Sequence, residues 1–126
     1  GYHNHSHEFQ KVEGATMLDY MIANTDPNYV FFQLDVYWAV MGQKSPVDYF
    51  KKYPGRFLLL HIKDDKELGQ SGMVGFDAIY NAAELSGVQY NIVELEATNS
   101  GDIMQGVKES VDYLLNADYV KKSYSK

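Results

Sequence analysis

Four short apolar runs of this chain each end in two polar side chains that are spaced two residues apart. The four pairs are His3 and His5, Gln33 and Asp35, His61 and Lys63, and Glu94 and Glu96. Residues i and i+2 of a strand point to the same face of a sheet. If the runs lie parallel, the pairs therefore meet at the carboxyl end of one sheet, where strand-helix barrels carry their active sites. Imidazole and carboxylate groups together suit a divalent metal, so the pattern predicts a metal-dependent enzyme site.

Each pair taken alone also has a simpler structural explanation. The two histidines of the HNH motif could belong to a polar surface loop at a strand end. Asp35 could be an ordinary solvent-exposed carboxylate at the end of its strand. His61, between leucine and isoleucine, could be a core histidine with its hydrogen bonds satisfied, and Lys63 could form a salt bridge with Glu96 or Asp64. The metal prediction therefore rests on the coincidence that four strands bring compatible ligands to one end. His7 has the same parity but follows the predicted strand, so it is left out of the set.

Composition narrows the class of protein. The 126 residues fit a single domain, 1–126, and the net charge of -6 argues against a nucleic-acid partner, which needs clustered Lys and Arg. We expect a soluble protein because the chain has no apolar stretch near the roughly 20 residues of a membrane span and begins with no leader.

Cysteine is absent. Any metal must therefore be held by His, Asp or Glu, and both the cytoplasm and the periplasm remain open as compartments.

Strand and helix signals alternate four times along the chain. Apolar runs rich in β-branched, aromatic and leucine side chains predict four strands: Gly1–His5, Val30–Val36, Phe57–Lys63 and Tyr90–Glu96. Periodic apolar residues and caps predict four helices: Thr16–Asn24, Pro46–Lys52, Asp77–Ser86 and Asp102–Leu115. A short helical turn is expected after the second strand and a helical extension over 117–126. A loop as long as Asp64–Gly75 is more often functional than incidental.

The alternation predicts an α/β fold of four parallel β-α units with right-handed crossovers. Four such units equal half of a (β/α)8 TIM barrel. An open four-stranded sheet with barrel curvature leaves two edges unpaired and one face uncovered. We therefore expect the half-barrel to be completed either by upstream sequence or by a partner such as a second copy in a homodimer.

Three segments carry a resemblance to a known family: YHNHSHEF, FQLDVYWAVMGQKSPVDYFKKYPGRFLLLHIKD and YNIVELE. They resemble the carboxyl-terminal half of sugar phosphate isomerase/epimerase proteins, which are xylose isomerase-like TIM barrels. The resemblance implies a divalent metal (Mn, Zn, Mg, Co or Fe) held by His3, Asp35, His61 and Glu94. The HNH motif by itself allows His3, His5 or both to be metal ligands, with the other histidine contacting substrate. Many members have a glutamate where this chain has His3, so an imidazole here replaces one of the two carboxylates that flank the substrate in isomerase members.

The resemblance also implies chemistry on a sugar or polyol. The metal would polarise a carbonyl or hydroxyl while Glu94, Glu96 or His5 moves a proton at the adjacent carbon. Three further side chains would line the substrate: Lys63, Gln33 and Trp38. Isomerisation, epimerisation and elimination by a lyase or dehydratase share this first proton abstraction.

Two other classes of function compete with this prediction. The half-barrel could act as a sugar- or metal-binding module without turnover. A nuclease, as in more distant barrels of the superfamily, is disfavoured because it needs a basic surface, whereas Lys63 is the sole basic residue in the predicted ligand set.

Overall fold

The computed structural model describes residues 1–124 and has an α/β architecture. Four parallel strands form one sheet in the order β1-β4-β5-β6, and a separate antiparallel hairpin pairs β2 with β3. The strands are β1 (Tyr2–His3), β2 (Lys11–Val12), β3 (Ala15–Thr16), β4 (Phe32–Asp35), β5 (Phe57–Ile62) and β6 (Tyr90–Val93). The α-helices are α1 (Met17–Ala23), α2 (Val36–Met41), α3 (Pro46–Lys52), α4 (Phe76–Ser86) and α5 (Ile103–Leu115). The predicted fold class, four β-α units equivalent to half a barrel, is confirmed.

Several predicted boundaries were wrong in detail. The first and last strands are shorter than predicted, because β1 ends at His3 and β6 ends at Val93. The loop predicted through Gly14 contains a 3-10 helix, His7–Phe9, and the β2-β3 hairpin. The helical turn expected after the second strand is the complete helix α2. No helix continues over residues 117–124, and the remainder of that predicted extension, 125–126, lies outside the described residues.

The two faces of the parallel sheet differ in how they are covered. Leu34, Leu60 and Ile62 are fully buried because they face the helices. The opposite face carries the alternate residues and is more open, with Tyr90 62% and Ile92 43% exposed. Within residues 1–124, β1 and β6 are the two edges of the sheet. An open inner face and two unpaired edges are the features that a half-barrel must have.

Capping side chains determine where three of the helices begin. The Ser45 hydroxyl accepts from the Asp48 N–H at the start of α3, as predicted. Asp102 accepts from the Met104 and Gln105 N–H groups at the start of α5. Asp35 caps α2 by accepting from the Trp38 N–H, so a predicted metal ligand also starts a helix. Among residues 1–124, no helix is both long enough and apolar enough to cross a membrane.

Gly87 should tolerate substitution poorly. It ends α4 at φ +84, and a Cβ there would lie 2.9 Å from the Gly55 Cα. Gly87→Ala therefore combines left-handed backbone strain with a backbone clash, and we expect it to lower the free energy of unfolding by about 2–4 kcal/mol. Gly72→Ala is the matched control, since Gly72 has φ +69 with no atom near the Cβ position. Urea unfolding should show a loss of about 1 kcal/mol for the control, and equal losses would contradict the predicted clash.

Candidate metal centre

Four predicted ligands meet at the carboxyl edge of the parallel sheet. His3, Asp35, His61 and Glu94 each offer one donor atom, and these atoms all lie within 4.8 Å of one another. Strand register explains the meeting, because Asp35 lies beside His61 in the β4-β5 pair. Glu94 follows β6 by one residue, but its N–H still donates to the Ile62 carbonyl at 3.1 Å, so the pairing continues to the ligand.

The four side chains of the cluster lie in close contact with one another. His61 Nε2 lies 2.9 Å from a Glu94 carboxylate oxygen, and His61 Nδ1 lies 3.3 Å from Asp35 Oδ2. Asp35 is fully buried, whereas His61 and Glu94 are partly accessible. The His3 and His61 rings meet edge to face with centroids 4.6 Å apart. Burial and the neighbouring His61 lower the pKa of His3, which keeps its imidazole neutral and able to offer a lone pair.

Unsatisfied atoms support the fit of a metal to this cluster. His3 Nδ1 is buried without a hydrogen-bond partner among the described residues, and His61 Nδ1 and Asp35 Oδ2 are buried 3.3 Å apart without hydrogen-bond geometry. Such atoms are costly to bury unless something absent from the protein itself satisfies them. Ligands at about 2.1 Å from a shared ion lie at most about 4.2 Å apart, so small shifts suffice. Two nitrogens and two carboxylates are a donor set that zinc, manganese, cobalt and iron accept.

Asp35 divides its two carboxylate oxygens between two tasks. Oδ1 accepts the Trp38 N–H at 2.8 Å and caps α2, whereas Oδ2 faces His61. The cap fixes the carboxylate and leaves one oxygen for a cation. The position of Trp38 is therefore linked directly to the cluster.

Asn4 holds the ends of β1 and β4 together from a buried position. Its Oδ1 accepts the Asp35 N–H at 3.0 Å, and its Nδ2 makes longer contacts with the carbonyls of Asp35 and His5. β1 has ended at His3, so this side chain replaces the backbone partner that a longer strand would supply. The amide therefore keeps the His3 and Asp35 segments in register. The sequence pattern did not identify it.

Removing the Asn4 amide should weaken metal binding indirectly. Asn4→Ala leaves the buried N–H of Asp35 unpaired, which we expect to cost about 1–3 kcal/mol of stability. Loss of a group that orients a ligand should weaken divalent-metal affinity about 10- to 100-fold. Calorimetric titration of the purified variant measures the affinity, with the exposed Asn28→Ala as control. Wild-type affinity in Asn4→Ala would show that the His3 and Asp35 segments do not need this link.

Lys63 lies fully buried beside the cluster. Its ammonium is 2.8 Å from a Glu96 carboxylate oxygen and lies over the rings of Tyr37 and Trp38, at 5.2 and 5.9 Å from their centroids. The hydrogen bond from Lys63 lowers the pKa of Glu96, which therefore remains a carboxylate. The salt bridge expected between Lys63 and Glu96 is present.

The remaining predicted residues lie around the same edge. The His5 ring is 4.9 Å from the His3 ring and 5.8 Å from Trp38, so these side chains form one wall. Gln33 is the β4 partner of His3 and is half-buried on the side of the sheet that carries Asp35. Their predicted roles toward substrate remain predictions.

The loop Asp64–Gly75 is ordered by buried carboxylates that the sequence pattern did not identify. Asp64 accepts from the Asp65 and Gly69 N–H groups and from the Ser71 hydroxyl. Glu67 accepts both the N–H and the side-chain amide of Asn99, at 2.8 and 2.7 Å. The loops that follow Lys63 and Glu96 are therefore joined to each other, which limits how far the two site residues can separate.

The fold and the cluster define an α/β half-barrel with a His-Asp-His-Glu group at the carboxyl edge of its sheet. Two solved structures of sugar phosphate isomerase/epimerase proteins from Parabacteroides distasonis ATCC 8503 are similar to it. They show 42% and 45% sequence identity with TM-scores of 0.88 and 0.91, and each comparison covers 95% of this chain and 46% of the other. No protein-family model matches the chain, and no curated protein matches it.

These comparisons confirm the predicted resemblance to sugar phosphate isomerase/epimerase proteins. The chain spans about half the length of the solved structures that it matches. A match to about half of each solved structure agrees with the prediction that this chain is half of a barrel.

Proposed function

We propose that this chain supplies the metal-binding half of a sugar isomerase or epimerase. The observation that carries the proposal is the meeting of His3, Asp35, His61 and Glu94 within 4.8 Å. Three of these side chains hold buried donor atoms without a hydrogen-bond partner among the described residues. The similarity to sugar phosphate isomerase/epimerase proteins supports a sugar or polyol as the ligand.

In this proposal the four ligands hold one divalent ion, for which zinc, manganese, magnesium, cobalt and iron are candidates. When bound, the ion supplies a positive charge that polarises a carbonyl or hydroxyl and makes the adjacent carbon more acidic. The second half of the barrel, from upstream sequence or from a partner chain, would close the open face of the pocket.

Side chains of this chain would perform the proton transfer and bind the substrate. Two carboxylates that follow β6 are the candidate bases: Glu94, which is itself a member of the cluster, and Glu96, which lies beside it. The lowered pKa of Glu96 keeps it a carboxylate at neutral pH and also makes it the weaker base. Lys63 is placed to hold a substrate oxygen, and Trp38 offers a ring face to a sugar. Gln33 and His5 complete the polar lining of the pocket.

The replacement of a flanking glutamate by His3 shapes the mechanism. In this proposal the groups that move the proton beside the reacting carbon are the carboxylates that follow β6 and the neighbouring imidazole of His5. A single-base transfer, in which the same group removes and returns the proton, fits this arrangement. An elimination that begins with the same abstraction is the second candidate reaction.

Proton exchange in heavy water tests the proposal directly. Purified protein, a divalent metal and ketose sugars, free and phosphorylated, are incubated together, and NMR follows exchange at the carbon beside the carbonyl. We expect metal-dependent exchange that Glu94→Gln removes and that the exposed Glu109→Gln leaves unchanged. Tight metal binding without exchange would instead favour a binding module without turnover.

A further inference from the structure

The HNHSH segment brings a second pair of imidazoles together outside the first cluster. The chain turns into a 3-10 helix at His7, and the His5 and His7 rings stack with centroids 5.6 Å apart and planes 9° apart. His7 was left out of the predicted ligand set because it lies past the strand. Its side chain is 60% exposed, so an ion could reach it from solvent.

Glu8 supplies a buried carboxylate at the base of these two rings. Its Oε1 accepts the Tyr2 hydroxyl at 2.7 Å and lies 2.8 Å from His7 Nε2. Its Oε2 accepts the His5 N–H at 2.7 Å.

We propose that His5, His7 and Glu8 form a second divalent-cation site, separate from the His3-Asp35-His61-Glu94 cluster. Each of the three residues offers a donor atom, and these atoms lie within 4.8 Å of one another. Two imidazoles and one carboxylate are a donor set for zinc, cobalt or nickel, and they leave coordination positions open for water or a ligand. The Tyr2 hydroxyl and the His5 N–H orient the carboxylate, as outer partners of metal ligands do.

The second site lies at the same carboxyl edge of the sheet as the first cluster. The His5 ring lies between the two clusters, since it stacks on His7 and is also 4.9 Å from the His3 ring. An ion at the second site would therefore sit beside the pocket, with its open positions available to a substrate oxygen. A ligand rich in hydroxyl groups could then contact both ions.

Metal stoichiometry tests the second site independently of the first. Metal-free protein is titrated with Co²⁺ and with Zn²⁺ by calorimetry, and bound metal is counted by elemental analysis. We expect two equivalents for the wild type and one for His7→Gln, which alters an exposed side chain and should leave the fold intact. Asp35→Asn should also bind one equivalent, and the double variant none. The control Glu13→Gln removes an exposed carboxylate from the turn between β2 and β3 and should keep two.

The outcomes separate this inference from the proposed function. A single equivalent that Asp35→Asn removes and His7→Gln retains would overturn the second site, leaving His7 and Glu8 as an ion pair, and would leave the first centre standing. Two equivalents that survive His7→Gln would likewise overturn it. One equivalent lost in His7→Gln and unaffected by Asp35→Asn would support the second site while contradicting the first.

Discussion

Asp35→Asn should abolish metal binding at the main cluster while leaving the fold almost unchanged. Asparagine caps a helix about as well as aspartate does, so the bond to the Trp38 N–H that starts α2 is kept. The substitution removes the negative charge from a fully buried ligand position. Because loss of an outer partner alone costs about 10- to 100-fold, loss of a direct ligand should weaken affinity at least about a hundredfold.

Two further variants separate the two tasks of Asp35. Asp35→Ala loses both the ligand and the cap, so its metal-free form should be about 1 kcal/mol less stable than that of Asp35→Asn. His61→Ala should lose the metal while α2 keeps its cap. Metal content and urea unfolding of the three purified variants provide the measurements. Unchanged metal content in Asp35→Asn and His61→Ala would refute the proposed centre.

The fold was predictable where local pattern and sheet geometry agree. The nearly continuous apolar run Phe57–Ile62 predicted a buried strand, and the Ser45-Pro46 pair predicted the start of α3. The meeting of His61 with Asp35 followed from one rule, that parallel strands bring their carboxyl ends to the same edge. Shortening of the last strand to Val93 did not displace Glu94, because its N–H still pairs with Ile62.

The groups that hold the site in place were not predictable, because they act across the chain. Asn4 satisfies Asp35 from 31 residues away. Glu67 binds Asn99 from 32 residues away. A single sequence contains no signal for such pairs, since Asn and Glu are ordinary loop residues until a distant backbone group becomes their partner.

The position of His7 depends on a local turn of the backbone that the strand pattern does not predict. Alternation along a strand would place His3, His5 and His7 on one face. The chain instead leaves the strand at His3 and forms a 3-10 turn, so His5 and His7 stack beside the buried Glu8. The predicted strand Gly1–His5 was correct through His3 and wrong at His5, and the prediction that His7 lies beyond the strand was correct.

Lys63→Met should remove turnover while leaving metal binding and stability nearly intact. Methionine preserves much of the buried stem of Lys63 and removes the ammonium that would hold a substrate oxygen. Removing one such stabilising donor lowers catalytic rates about 10²- to 10³-fold in well-studied sites. The carboxylate that loses its partner belongs to Glu96, whose side chain is 56% exposed and can be solvated, so the cost in stability should be small. The heavy-water exchange rate, metal content and urea unfolding of the variant test all three expectations.

Glu96→Gln provides the complementary measurement. It leaves the Lys63 ammonium buried without its carboxylate partner, which should destabilise the fold more than Lys63→Met does. Because the Glu96 side chain is 56% exposed, the loss should be about 1–3 kcal/mol rather than the larger cost of a fully buried pair. The double variant should regain most of that stability, since no unpaired charge remains. If Lys63→Met exchanges protons at the wild-type rate, Lys63 only pairs with Glu96 and its proposed contact with substrate is wrong.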